Sequence, residues 1–167
     1  MKKTLSAIAI ALVVTQANAG GTAAPFVEIT LAKEGQTLLR GTHRFVDPTG
    51  ALVPFAATTQ QQFRYSTCTS DGGSPRHAAK QLPIGRMLLL KPQRTPRGTI
   101  HLDIQAEDTD VKTVKSTEHG PCISMSPVTG GLPLTTVSVD LPEQGAITVS
   151  FPDGHYALTL KAETDSK

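Results

Sequence analysis

Residues 146–160 read Ala146-Ile147-Thr148-Val149-Ser150-Phe151-Pro152-Asp153-Gly154-His155-Tyr156-Ala157-Leu158-Thr159-Leu160, two alternating runs around a tight turn. Ile147, Val149 and Phe151 take every second position, and Tyr156, Leu158 and Leu160 repeat the spacing. Successive side chains of a strand point to opposite faces, so this pattern buries one face and leaves the other wet. Pro152 presets its own φ and Gly154 accepts a positive one, which makes Pro152-Asp153-Gly154 a turn and 146–162 a hairpin. Upstream, Val137, Val139 and Leu141 carry the same period.

Period two dominates the rest of the chain, and no long stretch repeats at the helical period. Asp47-Pro48-Thr49-Gly50 separates His43–Val46 from Ala51–Phe55, with proline where a type I turn favours it. A third hairpin pairs Arg86–Leu90 with Thr99–Ala106, whose Ile100, Leu102, Ile104 and Ala106 form a buried face. Earlier strands fall on Phe26–Ala32, Thr37–Leu39 and Gln62–Thr67. Eight or nine short strands between Gly and Pro turns predict an all-β fold, a β-sandwich, with a small β-barrel as the alternative. Two stretches read as irregular: Thr69–Gly85, a long loop with a turn or two of helix over Arg76–Gln81, and Glu118–Pro133, rich in Gly, Pro, Ser and Thr.

Asp153-Gly154-His155-Tyr156-Ala157-Leu158 resembles the turn-to-strand corner of immunoglobulin-like sandwiches. That resemblance implies a Tyr156 hydroxyl bonded back to nearby backbone; by alternation alone, Tyr156 is an inward strand residue. The chain departs from the immunoglobulin pattern, with no tryptophan and no cysteine two residues after Tyr156, so no function carries over.

At the start, Lys2 and Lys3 precede an apolar run from Leu5 to Val14, and Ala17-Asn18-Ala19 offers small residues before Gly20. This three-part pattern reads as a signal peptide over residues 1–19, leaving a single β-rich domain over 20–167. The apolar run is about half the roughly 20 residues a membrane-spanning helix needs. No cysteine follows Ala19 to carry a lipid, so the expected location is the periplasm or the exterior, with no membrane span after cleavage. Removing Lys2 and Lys3 leaves 14 basic against 14 acidic residues, and a balanced domain gives no electrostatic reason to bind nucleic acid. Few aromatic residues, with no Trp, argue against sugar recognition on flat rings.

Cys68 and Cys122 are the two cysteines, and an even pair in an oxidising compartment is most simply one disulfide. Closing a loop of about 55 residues would remove denatured-state entropy worth roughly 4 kcal/mol. The alternative, a Cys122 nucleophile beside His119, requires a thiol that export works against.

Familiar catalytic signatures are missing: there is no Gly-x-Ser-x-Gly elbow, no His-Glu-x-x-His helix and no phosphate-cradling glycine loop. His101 and Asp103 should share one outward strand face, roughly 7 Å apart, and His119 and Met125 flank Cys122 as softer ligands. Neither pair completes a set of three or four ligands, so no metal and no cofactor is implied. Charge is uneven, since 72–102 holds Arg76, Lys80, Arg86, Lys91, Arg94 and Arg97 with no acid, and Asp103, Glu107, Asp108 and Asp110 follow. If 91–98 projects, Lys91, Arg94 and Arg97 form a basic tip for an acidic partner. The expectation is therefore an exported, non-catalytic β-sandwich that binds a protein partner, as an inhibitor or immunity-type protein, an envelope-assembly subunit or a secretion accessory. The alternatives are a small periplasmic hydrolase with its site between 69–85 and 118–133, or a metal-binding periplasmic protein.

Overall fold

The computed structural model describes residues 26–70, 74–142 and 144–163; the expected signal peptide lies outside them. Nine strands and no helix occur among the described residues: β1 Phe26–Lys33, β2 Gln36–His43, β3 Phe55–Thr58, β4 Gln61–Thr69, β5 Arg76–Arg94, β6 Ile100–His119, β7 Cys122–Asp140, β8 Gly145–Ser150 and β9 Tyr156–Glu163. They form two antiparallel sheets, one ordered β2-β1-β9-β8 and the other β3-β5-β6-β7, with β4 added to β5. This is the expected sandwich, because each sheet has one apolar face and must bury it. Val27, Ile29 and Leu31 of β1 and Leu158 and Leu160 of β9 form one inner face; Leu88, Leu90, Leu102, Ile104 and Ala106 of β5 and β6 form the other. Phe45 and Phe151 are buried with them.

The β8–β9 hairpin runs in unbroken register from Gly145 opposite Ala162 to Ser150 opposite Ala157, as the alternation required. At Asp47–Gly50 a single Val46–Leu52 bridge closes the turn. The Asp47 carboxylate accepts from Thr49 Oγ1 (2.7 Å), Ala51 N (2.8 Å) and Thr49 N (2.9 Å). These bonds to its charged form hold Asp47 below the usual carboxylate range, the Thr49 hydroxyl contributing most. Between β5 and β6 the turn is tighter than 91–98: pairing continues to Arg94 opposite Ile100, and Thr95–Gly98 closes it.

Most of the described residues in the two stretches read as irregular are in strands. Residues 76–84 are the first half of β5 and pair with β4, from Thr69 opposite Arg76 to Gln61 opposite Ile84. Residues 122–130 are the first half of β7 and pair with the last half of β6. No helical turn forms over Arg76–Gln81. These three half-strands and the whole of β4 leave the sandwich as an arm of two ribbons. At about 3.4 Å per residue, ten residues carry it roughly 30 Å.

Arm and sandwich meet at one row of the sheet, where Gly85 lies opposite Thr109 and Thr109 opposite Gly131. Gly85 and Gly131 have φ of +114° and +103°, outside what L side chains adopt readily, and β6 bulges between Ala106 and Asp108 and between Val111 and Thr113. All three long strands thus bend together. A Cβ on Gly131 would stand 1.9 Å from the Asp108 carbonyl oxygen, so the approach of β7 to β6 requires glycine.

Gly131→Ala should therefore destabilise the protein by at least about 3 kcal/mol, through backbone strain and a backbone clash together. Gly35→Ala should cost only about 1 kcal/mol, because its φ is also positive but no atom lies within 4 Å of the new Cβ. Denaturant unfolding of the two variants checks the contrast.

Candidate functional site

The arm is held together at its far end by covalent and polar contacts. Cys68 near the end of β4 and Cys122 at the start of β7 form the expected disulfide, with Cα atoms 5.4 Å apart. Two residues on, Ser124 fastens the β4 backbone twice: Cys68 N–H donates to its Oγ (2.9 Å), and Oγ–H donates to the Cys68 carbonyl (3.0 Å). The hydroxyl thus satisfies both polar groups of a residue on the β4 edge, which has no ladder partner among the described residues. Cys122 is buried at 3% exposure, whereas His77 stays exposed with its Nε2 3.9 Å from Cys68 Sγ.

The two faces of the β6–β7 ribbon differ. Opposed residues of an antiparallel pair share a face, so Val114 with Pro127, Ser116 with Met125 and Glu118 with Ile123 lie together, while His119 with Cys122 and Thr117 with Ser124 lie towards β4. On the outer face Val114, Met125 and Ile123 are 40%, 44% and 48% exposed. His119 and Met125, the pair considered as soft metal ligands, are on opposite faces. The arm is also basic: Arg64, Arg76, Lys80, Lys112 and Lys115 stand against Asp110 and Glu118 among its described residues. Lys112 bridges Asp110 at 2.8 Å; Arg64, Arg76, Lys80 and Lys115 make no ion pair among the described residues.

Lys91, Arg94 and Arg97 are at the opposite end of β5. Arg97 is exposed in the Thr95–Gly98 turn, and Arg94 turns back so that its Nη2 donates to the Gly50 carbonyl (2.9 Å). Lys91 projects from the strand itself, level with Asp103 across the pair.

His101 and Asp103 share a face as their spacing required, and β7 adds Asp140 and Ser138 to it. His101 Nδ1 lies 2.7 Å from Asp140 and Nε2 3.7 Å from Asp103. Asp103 also accepts from Gln93 Nε2 (2.6 Å) and Ser138 Oγ (2.9 Å). The carboxylates address different ring nitrogens, so one ion cannot be held by all three side chains. Among the described residues no group of three or more His, Cys, Asp or Glu is arranged to hold a metal. Nor is the cluster a serine triad, because a carboxylate stands between imidazole and hydroxyl. Periodicity identified the face of His101 and Asp103; Asp140 enters through strand register, which it does not supply.

No family model, curated protein or solved structure matches the chain. Its functional reading rests on its own geometry.

At the base of the arm, Tyr156 from β9 crosses between the sheets. Its hydroxyl donates to Asp108 Oδ2 (2.7 Å), and Asp108 Oδ1 accepts from Arg86 Nε (3.2 Å). Arg86 Nη1 donates to the Leu38 carbonyl on β2 (2.9 Å), and the Lys33 ammonium sits 5.1 Å from the centre of the Tyr156 ring. Tyr156 is inward and 2% exposed, and its hydroxyl meets a side chain of the other sheet rather than nearby backbone, so the immunoglobulin-like corner is not present. The Asp153 turn carries local bonds of its own, to His155 N and Tyr156 N. Burial first, then the bond to Asp108, pushes the Tyr156 phenol above its ordinary 10.0, and interaction with the Tyr156 hydroxyl raises Lys33 above 10.5.

Both shifts are upward, so the stability they contribute is complete at neutral pH and is lost as pH rises through the folded values. Tyr156→Phe should cost about 1–3 kcal/mol at pH 7, the worth of a hydrogen bond to a charged acceptor. It should also flatten the fall in stability above about pH 10. An unchanged alkaline slope in chemical denaturation would show that the Tyr156–Asp108 bond does not govern it.

Among its described residues the arm fully buries only Cys122, and its two ribbons are joined by the staple and by Ser124. Reduction should release protection from hydrogen exchange at 61–69 and 110–130 while β1 and β9 stay protected, as expected for a locally unfolding unit. Mass-resolved exchange with and without reductant measures this directly.

Proposed function

We propose that this is an exported, non-catalytic binding protein that engages a protein partner through its stapled arm. The observation that carries this reading is the outer face of the β6–β7 ribbon, where Val114, Ile123 and Met125 stand uncovered on an element that contributes little to the core. Large apolar groups held out on a rigid, covalently braced projection suit recognition: ordering has been met in advance, so less is lost on binding. The arm as a whole carries more cations than acids, and Arg64, Arg76, Lys80 and Lys115 make no ion pair among the described residues, which favours a partner of acidic character, while Glu118 is the charge that shares the apolar face itself. Export is supported by the N-terminal pattern and by a disulfide, which persists in oxidising compartments. Inhibitor, envelope-assembly and secretion-accessory roles all remain within this reading.

Affinity capture from envelope extract and culture medium, read by mass spectrometry, tests it. Wild-type protein should retain a stoichiometric partner, and Ile123→Ser with Met125→Ser should lose it by tenfold or more, about 1.4 kcal/mol or larger. The melting temperature should not change, because both side chains are about half exposed. Retention by the double variant at wild-type affinity would remove the arm from the binding site.

A further inference from the structure

Among the described residues the sandwich has four sheet edges, and they are not equally defended. β2 is bulged, with a register shift opposite Leu31 and Ala32, carries Arg40, and has its Leu38 carbonyl occupied by Arg86. β3 has four residues and follows Pro54. Such devices keep an edge from pairing with another chain. On the other side, β8 runs over Gly145–Ser150 in unbroken register with β9, with no proline, no bulge and no charge. The end of β7, from Thr135 to Asp140, is likewise regular, its one charge at the last residue. Four residues join β7 to β8, so the two open edges lie on the same side of the sandwich. Between them Val137, Val139, Ile147 and Val149 pack against the core but remain half-buried.

We propose that this side is the interface of a homodimer, in which β8 pairs antiparallel with β8 of a second copy. Chemistry selects a second copy over an unlike partner. β8 offers no charge to attract a complementary surface and none to repel its own image, and it pairs with itself without conflict. In an isologous pairing centred on Thr148, Thr148 faces Thr148 of the second copy, Ile147 faces its Val149, and Ala146 faces its Ser150. Residues on the inner face of β8 then meet inner-face residues, so the sheet continues through the axis with its apolar side inward. Because the second sheet ends on the same side, the axis also brings the two β7 edges together and covers all four half-buried residues. This interface is separate from the arm.

Sedimentation equilibrium of the purified oxidised protein should give the mass of two chains. Thr148→Lys opposes two like charges on the axis and should give one chain, whereas Ile123→Ser with Met125→Ser should still give two. Thr148→Cys should cross-link across the axis under mild oxidation, appearing as a reducible doublet mass, and this result does not depend on how Thr148→Lys folds. A monomeric wild type overturns the proposal. A dimer that survives Thr148→Lys, or that Thr148→Cys fails to cross-link, overturns it as well.

Discussion

Three strands that each run about twenty residues must serve two environments, a sandwich core and a nearly coreless arm, and the row Gly85–Thr109–Gly131 is where they change between them. A strand that stayed straight would either leave the core early or carry its apolar face into water. The positive φ values and the bulges resolve this by bending β5, β6 and β7 at one level, which frees the first half of β5 to pair with β4. Pairing, bending and the close approach of β7 to Asp108 are thus one arrangement, since a side chain at residue 131 would undo all three.

Above that row the structure follows familiar rules of burial. Below it, stability comes from hydrogen-bonded ribbons, a disulfide and the double contact of Ser124, with half-buried Phe63, Tyr65, Leu82 and Ile84 in the β4–β5 ribbon. The base is held differently again. Arg86, Asp108, Tyr156 and the Leu38 carbonyl connect β5, β6, β9 and β2, so a short polar chain joins both sheets where the apolar core ends. Each group in it has a partner, which is the condition for such a chain to support a structure at the margin of the core.

What the sequence revealed tracks what each segment buries. Ile147, Val149, Leu158 and Leu160 sit half in a core and half in water, and their alternation gave hairpin, face and turn together. Residues 76–81 and 112–119 expose both faces, so no alternation survives there, and Pro75, Pro83, Gly120 and Pro121 favoured reading 69–85 and 118–133 as irregular. The staple was legible because two cysteines allow a single pairing. The outer face of Ile123 and Met125 was not, since it depends on knowing that 122–130 is a strand and which residues oppose it. Tyr156 is the instructive intermediate. Its inward direction followed from period two, but its partner, Asp108, is 48 residues away on the other sheet, beyond the reach of any local motif.

The arm also has a mechanical meaning. An element roughly 30 Å long, fixed at one end, converts a rotation of about 10° at its base into a displacement of about 5 Å at its tip. Ile123 and Met125 are near that tip, whereas the groups that resist rotation, Gly131, Asp108, Arg86 and Tyr156, are at the base. The position of the exposed apolar face in space is consequently set by residues that never touch it. Small differences in packing at the fulcrum are magnified along the lever, which makes the stiffness of the base a determinant of how sharply the tip can be aimed.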